Sequence, residues 1–292
     1  MSSKRSSIKK ILEPRIDPKT KRMDVGGLLI PPTSVLTALL YGFANHEHLR
    51  AREYYFWRLC DELWNHDDLP EKLMVRHPWA EQMIWAAINS KYLAVGGSAS
   101  SGKSHTMAAW GIINWLSKPK DTLVLMTSTT LREARKRIWG SVMSLLSVID
   151  GAPIKIRDSI GNAAYIDEKG TLIERAGISL IAAEKSKTRE AVGKFIGIKQ
   201  KRVILIGDEL SELSEAILQA GLSNLSKNPE FQMIGMSNPN SRFDAFGVWS
   251  EPINGWDSVD TNIADGWPTK WGGDYIRLDG ERSPNITAGE AL

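Results

Sequence analysis

Eight consecutive residues limit what this chain can fold into more than any others. Gly97-Ser98-Ala99-Ser100-Ser101-Gly102-Lys103-Ser104 fills the pattern G-x-x-x-x-G-K-[ST]. An apolar run, "YLAVGG", precedes it, and helical patterning follows to about Leu116. Small residues let successive backbone N–H groups turn inward around an anion. The helix beginning near Lys103 points its positive end at the same place. In this pattern the lysine reaches the β- and γ-phosphates of a nucleotide and the Ser hydroxyl ligates Mg²⁺, which assigns those roles to Lys103 and Ser104. The expected nucleotide-binding set is Gly97, Ser98, Ala99, Ser100, Ser101, Gly102, Lys103, Ser104 and His105.

A phosphate loop binds; hydrolysis needs acids. Val203-Ile204-Leu205-Ile206-Gly207-Asp208-Glu209 is a continuous apolar run ending in two carboxylates, the pattern of a strand buried on both faces of a parallel sheet. Asp208 is expected beside Mg²⁺, and Glu209 is placed to orient and deprotonate the attacking water. The plainer use of the same acids is to cap the next helix. A third run, Met233-Ile234-Gly235-Met236-Ser237-Asn238-Pro239, also ends in small polar residues. Ser237 or Asn238 could contact the γ-phosphate, although Asn-Pro is a turn signal in its own right. In the usual strand order this run lies between the other two. Upstream, Gln82 in "HPWAEQ" carries an amide able to pair with adenine through one donor and one acceptor.

Around these motifs, apolar runs alternate with helical segments from residue 77 onward, predicting a mainly parallel sheet flanked by helices. Residues 33–75 read as a small helical subdomain, with Ser34 as a cap and Tyr54, Tyr55, Phe56 and Trp57 as packing material, base stacking being the alternative use of those rings. Residues 76–262 read as the core, and 263–292, rich in turn residues, as a linker or tail. Residues 1–32 read as a flexible arm. Its first 23 residues carry eight basic side chains against two acidic ones, while the whole chain is only +3, so the rest is near −3. Such an arm is either a solvated terminus or a contact for nucleic acid or an acidic partner. The single cysteine, Cys60, excludes an internal disulfide framework and a cysteine-based zinc site. No apolar run is long enough to span a bilayer and no signal peptide is evident, so a cytoplasmic protein without a membrane partner is expected.

Taken together, these pieces resemble the large terminase subunit of tailed bacteriophages, over roughly residues 77–250. Pro78 to Gln82 stands as the adenine motif, Gly97 to Ser104 as Walker A, Val203 to Glu209 as Walker B, and Ser237-Asn238-Pro239 as the coupling motif. "TSTTLREARKRIWGSV" and "RLDGERSPN" are also similar to that family. The resemblance implies an ASCE-type P-loop fold and an ATPase that uses ATP and Mg²⁺ to translocate double-stranded DNA into a procapsid. It implies a homo-oligomeric ring, typically a pentamer, docked on the portal protein, with a small terminase subunit helping to select the genome. The location would be the host cytoplasm and, transiently, the portal vertex. It also implies an arginine finger between neighbours, for which Arg189 leads, with Arg202 and Arg135 behind it.

Two departures stand out. Many members carry an arginine inside the phosphate loop, where this chain has Ser98, Ala99, Ser100 and Ser101. The family's nuclease half has no counterpart here, so the chain reads as the ATPase part alone, truncated or split, and DNA cleavage is not expected. Two other readings stay open. A helicase-like remodelling ATPase shares the fold and the acid pair, but usually needs a second lobe. A nucleotide-gated assembly module would bind ATP and scarcely hydrolyse it. No N-K-x-D guanine motif and no L-S-G-G-Q signature are present.

Overall fold

The computed structural model describes residues 11–182, 198–225 and 228–280. The chain divides into two compact units. One runs up to Arg76 and includes Leu116–Lys118; the other comprises His77–Trp115 and the chain from Pro119 onward.

The first unit begins with a three-stranded antiparallel meander of β1 (Arg15–Ile16), β2 (Met23–Val25) and β3 (Leu28–Ile30). Much of the expected flexible arm is therefore ordered structure. The turn Asp17–Arg22 closes on backbone bonds, and Arg15 pairs with Asp24 at 3.3 Å. Strands of two or three residues leave no alternation long enough to read from sequence, and the basic residues between them look like a solvated tail. Helix α1 (Val35–Asn45) starts at Ser34, whose hydroxyl accepts from Thr37 N. Helix α2 (Leu49–Trp64) buries Ala51, Tyr55, Leu59 and Leu63 along one face, with Phe56, Trp57, Cys60 and Trp64 beside them. Tyr55 and Phe56 are wholly buried and Trp57 nearly so, which leaves those rings as core. Gly42 is needed where the helices meet, because a Cβ there would stand 2.8 Å from the Tyr55 ring.

Among the described residues, the second unit is built on a nine-stranded sheet in the order β11-β12-β4-β10-β9-β5-β8-β7-β6. Its middle is parallel: β4 (Tyr92–Gly96), β10 (Glu230–Ser237), β9 (Arg202–Gly207), β5 (Thr122–Ser128) and β8 (Leu172–Ala182). The strands β6 (Ile154–Arg157) and β7 (Asn162–Ile166) extend it antiparallel. The apolar runs read from sequence are these central strands, and β5 is buried along its whole length. Alternation splits their side chains between faces. Leu125, Leu205 and Met233 join Leu218, Phe246 and Trp249 under helices α5 (Glu215–Leu225) and α6 (Ala245–Ser250). Val124, Met126 and Ile206 face α4 (Lys103–Ser117), which approaches closely because Gly111 carries no side chain. Helix α3 (Pro78–Asn89) lies on that same face, tied down by Gln232, which donates to Ala87 O at 2.6 Å and Ser90 O at 2.9 Å.

Residues 263–280 are not a linker. The strands β11 (Gly266–Pro268) and β12 (Asp274–Arg277) complete the sheet, β12 pairing in parallel with β4 from Asp274↔Leu93 to Arg277↔Gly96. Trp267 stacks on Tyr275 with ring centroids 4.0 Å apart, and its indole N–H reaches Ser250 O. "DYIR" is too short and too turn-flanked to announce a strand; its partner β4, about 180 positions earlier, makes it one. Among the described residues no helix is long and apolar enough to cross a membrane.

Candidate active site

Parallel strands that share a direction also share an end, and the motif residues collect at the carboxyl end of this sheet. The order β4-β10-β9 sets the strand ending in Ser237 between the one that feeds the phosphate loop and the one that delivers Asp208 and Glu209. Gly97 N donates to Ser237 O at 3.2 Å, tying loop to strand. The loop turns through Ser100 (φ 61°) and Gly102 (φ 75°), left-handed conformations that a short polar residue and a glycine tolerate. Ser98, Ala99 and Ser100 are exposed, Ser101 is buried, and Ser104 and His105 are half-buried at the first turn of α4.

Lys103 is almost wholly buried, and its ammonium donates to Gly97 O (2.6 Å), Ser98 O (2.7 Å) and Ser101 Oγ (3.0 Å). Burial pulls its pKa down, while the charges of Glu209 and Asp208 push it up. Those three acceptors hold the charge inside the ring of the loop, where a polyphosphate's oxygens would be met.

Ser104 Oγ donates to Asp208 Oδ1 at 2.9 Å. Asp208 is buried, its other oxygen, Oδ2, has no hydrogen-bond partner, and burial raises its pKa. A buried orphan carboxylate oxygen beside a serine hydroxyl is the donor set a small hard cation takes. Among the described residues no group of three or more His, Cys, Asp or Glu could hold a metal by itself. The pair therefore fits Mg²⁺ as a cation completed by phosphates and water rather than by a protein cage.

Glu209 lies in the left-handed region at φ 51° and ψ 55°, a conformation that costs a residue with a Cβ on the order of 1 kcal/mol. Its carboxylate is bracketed: Oε2 accepts from Ser237 Oγ at 3.4 Å, and Oε1 lies 3.8 Å from Arg137 Nη1. The Ser237 hydroxyl is also 2.7 Å from Ser211 Oγ and accepts from Ser211 N at 3.3 Å. Asn238, one residue on, is exposed.

Other expected residues have different placements. Gln82 directs an amide donor to Arg277 O (3.1 Å) at the end of β12, and Trp79 reaches Asp279 O (2.9 Å). Arg202 is not at the site. It opens β9 at the opposite end of the sheet, where it donates to the Asn114 side chain and to Asn114 O, the latter at 3.4 Å. Its role is to pair a buried amide beneath the core. Arg135 lies on a π-helical turn (Arg135–Trp139) with Nε buried and unbonded. Arg189 lies outside the described residues.

Sequence reading passed over Arg137, Ser211 and His77. Arg137 was hidden in the basic run "REARKR", because the π turn decides which of those side chains faces the acids. Ser211 gave no signal. The Nδ1 of His77 caps α3 by accepting from Ala80 N (3.3 Å), and its Nε2 lies 3.8 Å from where a Cβ on Gly102 would stand.

Neither a protein-family model nor a curated protein matches the sequence. Solved structures do. The large terminase of a thermophilic bacteriophage, in complex with ADP, aligns with TM-score 0.50 and 13% identity, over 69% of this chain and 44% of that one. This chain thus spans less than half of that terminase. The ATPase domain of the Thermus phage P74-26 large terminase, in a form carrying one arginine-to-alanine substitution, aligns with TM-score 0.51 and 13% identity, over 77% of this chain and 86% of that one. At such identity the likeness speaks for architecture, and the architecture is the P-loop ATPase fold of phage large terminases.

Proposed function

We propose that this chain is the ATP-hydrolysing motor of a viral DNA-packaging terminase, coupling hydrolysis to movement of double-stranded DNA into a procapsid. The observation that carries the reading is the convergence of three strand ends, with Ser104 bonded to Asp208 and Ser237 to Glu209 beside the loop that holds Lys103. A solved neighbour of this fold holds ADP.

Lys103 exchanges the loop carbonyls for phosphate oxygens, and the N–H groups of residues 97–105 cradle the phosphates. Ser104 and Asp208 would hold Mg²⁺, which when bound neutralises charge on the β- and γ-phosphates. Glu209 takes the proton of the attacking water. Ser237, bonded to Glu209 and through its carbonyl to Gly97, passes loss of the γ-phosphate to β10, with Asn238 at the exposed end of that path. Gln82 would pair with the base. A ring of identical subunits, a pentamer on the family pattern, would bring Arg189 into the neighbouring site. The portal protein, a small terminase subunit and DNA are the partners of this reading, with the host cytoplasm and portal vertex as its location.

The test is steady-state ATP hydrolysis across a wide protein range, wild type beside Glu209→Gln. Activity should rise steeply with concentration, and the variant should lose roughly 10²–10⁴-fold in turnover while still binding ATP. A flat, low rate equal in both proteins would overturn the motor and leave the binding-only assembly module.

A further inference from the structure

Transfer of the γ-phosphoryl group spreads negative charge over its equatorial oxygens, and a guanidinium there is worth about 10³–10⁵ in rate. The stretch Ser98 to Ser101 carries no cation, which leaves Lys103 as the one positive side chain between Gly97 and Ser104. Arg137 is the arginine that the described structure sets against the acid pair. Its Nη1 is 3.8 Å from Glu209 Oε1, and its charge bears on Asp208 as well. A π-helical turn sets it there, a distortion that occurs often at functional sites. The turn is anchored by Trp139, buried and donating to Asp158 Oδ1 at 2.7 Å, while the Arg137 side chain keeps 39% exposure.

Resting on the ATPase reading above, we propose that Arg137 is the cation that this subunit supplies to its own site, in place of an arginine in the phosphate loop. Glu209 holds the guanidinium in wait through one oxygen, while Ser237 holds the other. When a triphosphate enters, its terminal phosphoryl oxygens draw the guanidinium across, since phosphate offers the planar fork two parallel acceptors. Glu209 is thereby freed to take a proton from water. The water oxygen bonds to the γ-phosphorus, the bond from the bridging oxygen to that phosphorus breaks, and ADP leaves with the electron pair. Arg137 would thus discriminate triphosphate from diphosphate as well as speed turnover. A merely structural role would do neither selectively.

The experiment uses the full chain with Arg137→Ala and Arg137→Lys. It measures dissociation constants for ADP and ATPγS, turnover, and the activity of equimolar mixtures with Glu209→Gln. Arg137→Ala should leave ADP affinity unchanged and weaken ATPγS roughly 10- to 100-fold, the worth of a charged hydrogen bond. Turnover should fall about 10²-fold or more, with Arg137→Lys recovering part of it. Mixing with Glu209→Gln should restore nothing, because each subunit then lacks one member of its own site. Equal weakening of both nucleotides in both variants would overturn the proposal, as would unchanged ATPγS affinity. Recovery in the mixture would place the arginine in trans and overturn it too. Retained turnover in Glu209→Gln alone would sink the parent reading, while the ADP and ATPγS affinities would still decide whether Arg137 senses the third phosphate.

Discussion

The two ends of the central sheet are built on opposite terms. At the amino end, Thr122 Oγ1 is buried without a partner, but the larger polar side chains are matched. Arg202 pairs with Asn114, Gln200 donates to Lys120 O at 2.7 Å, and Asn228 donates to Gln200 O at 2.7 Å. Gln232 accepts from the Trp110 indole N–H at 2.9 Å while donating to two carbonyls of α3 and its cap. At the carboxyl end the same strands finish in unmatched or strained groups. Asp208 Oδ2, Thr127 Oγ1 and Ser128 Oγ are buried without partners, and Glu209 is left-handed. A buried polar atom without a partner costs about 1–3 kcal/mol, so a fold that keeps several at one end gives up stability there for a readiness to bind. One end stabilises the sheet, and the other is kept ready for a ligand.

That contrast can be broken at either end. The largest effect is expected from Arg202→Ala, which strips the charged partner from the wholly buried Asn114. Unfolding free energy should fall by about 1–3 kcal/mol in urea titration. ADP affinity should hold at temperatures well below the melt. A lost ADP affinity with unchanged stability would mean the amino end is wired to the site after all.

Asp208→Asn should act with the opposite sign. The amide keeps an acceptor for Ser104 and removes a carboxylate whose charged form is disfavoured by the burial that raises the pKa of Asp208. In the absence of metal the variant should gain about 1 kcal/mol of stability while losing turnover, the expected trade where an active site holds strain. A destabilised variant would show that Asp208 is held by something other than its readiness for a cation.

The smallest effect sharpens the border of the site. Burial lowers the pKa of His77 below the usual 6.5, because protonation both charges a partly buried ring and removes the Nδ1 acceptor that caps α3. The stabilisation it contributes is therefore complete above pH 6.5 and is lost as pH falls through the folded value. His77→Asn, which caps without titrating, should flatten that part of the stability profile, a difference under about 1 kcal/mol. An identical pH slope in both proteins would assign the loss to other groups.

The sequence alone determined the kind of fold and which residues would share one end of it. "YLAVGG", "RVILIGDE" and "FQMIGMSNP" are each too apolar to face water and each end in small or acidic residues. Strands buried on both faces have to run parallel under helices, so their ends must gather. The set Ser104, Asp208, Glu209 and Ser237 was legible for that reason. Tertiary structure decided what depended on distant partners. Strand β12 exists because β4 offers it an edge, and the meander of residues 15–30 closes on bonds across a few residues that look like a charged tail. Whether Arg135, Lys136 or Arg137 faces the acids was settled by one turn of π helix. Local pattern fixes what a segment must bury. Which side chain meets which depends on backbone geometry that only the packed whole imposes.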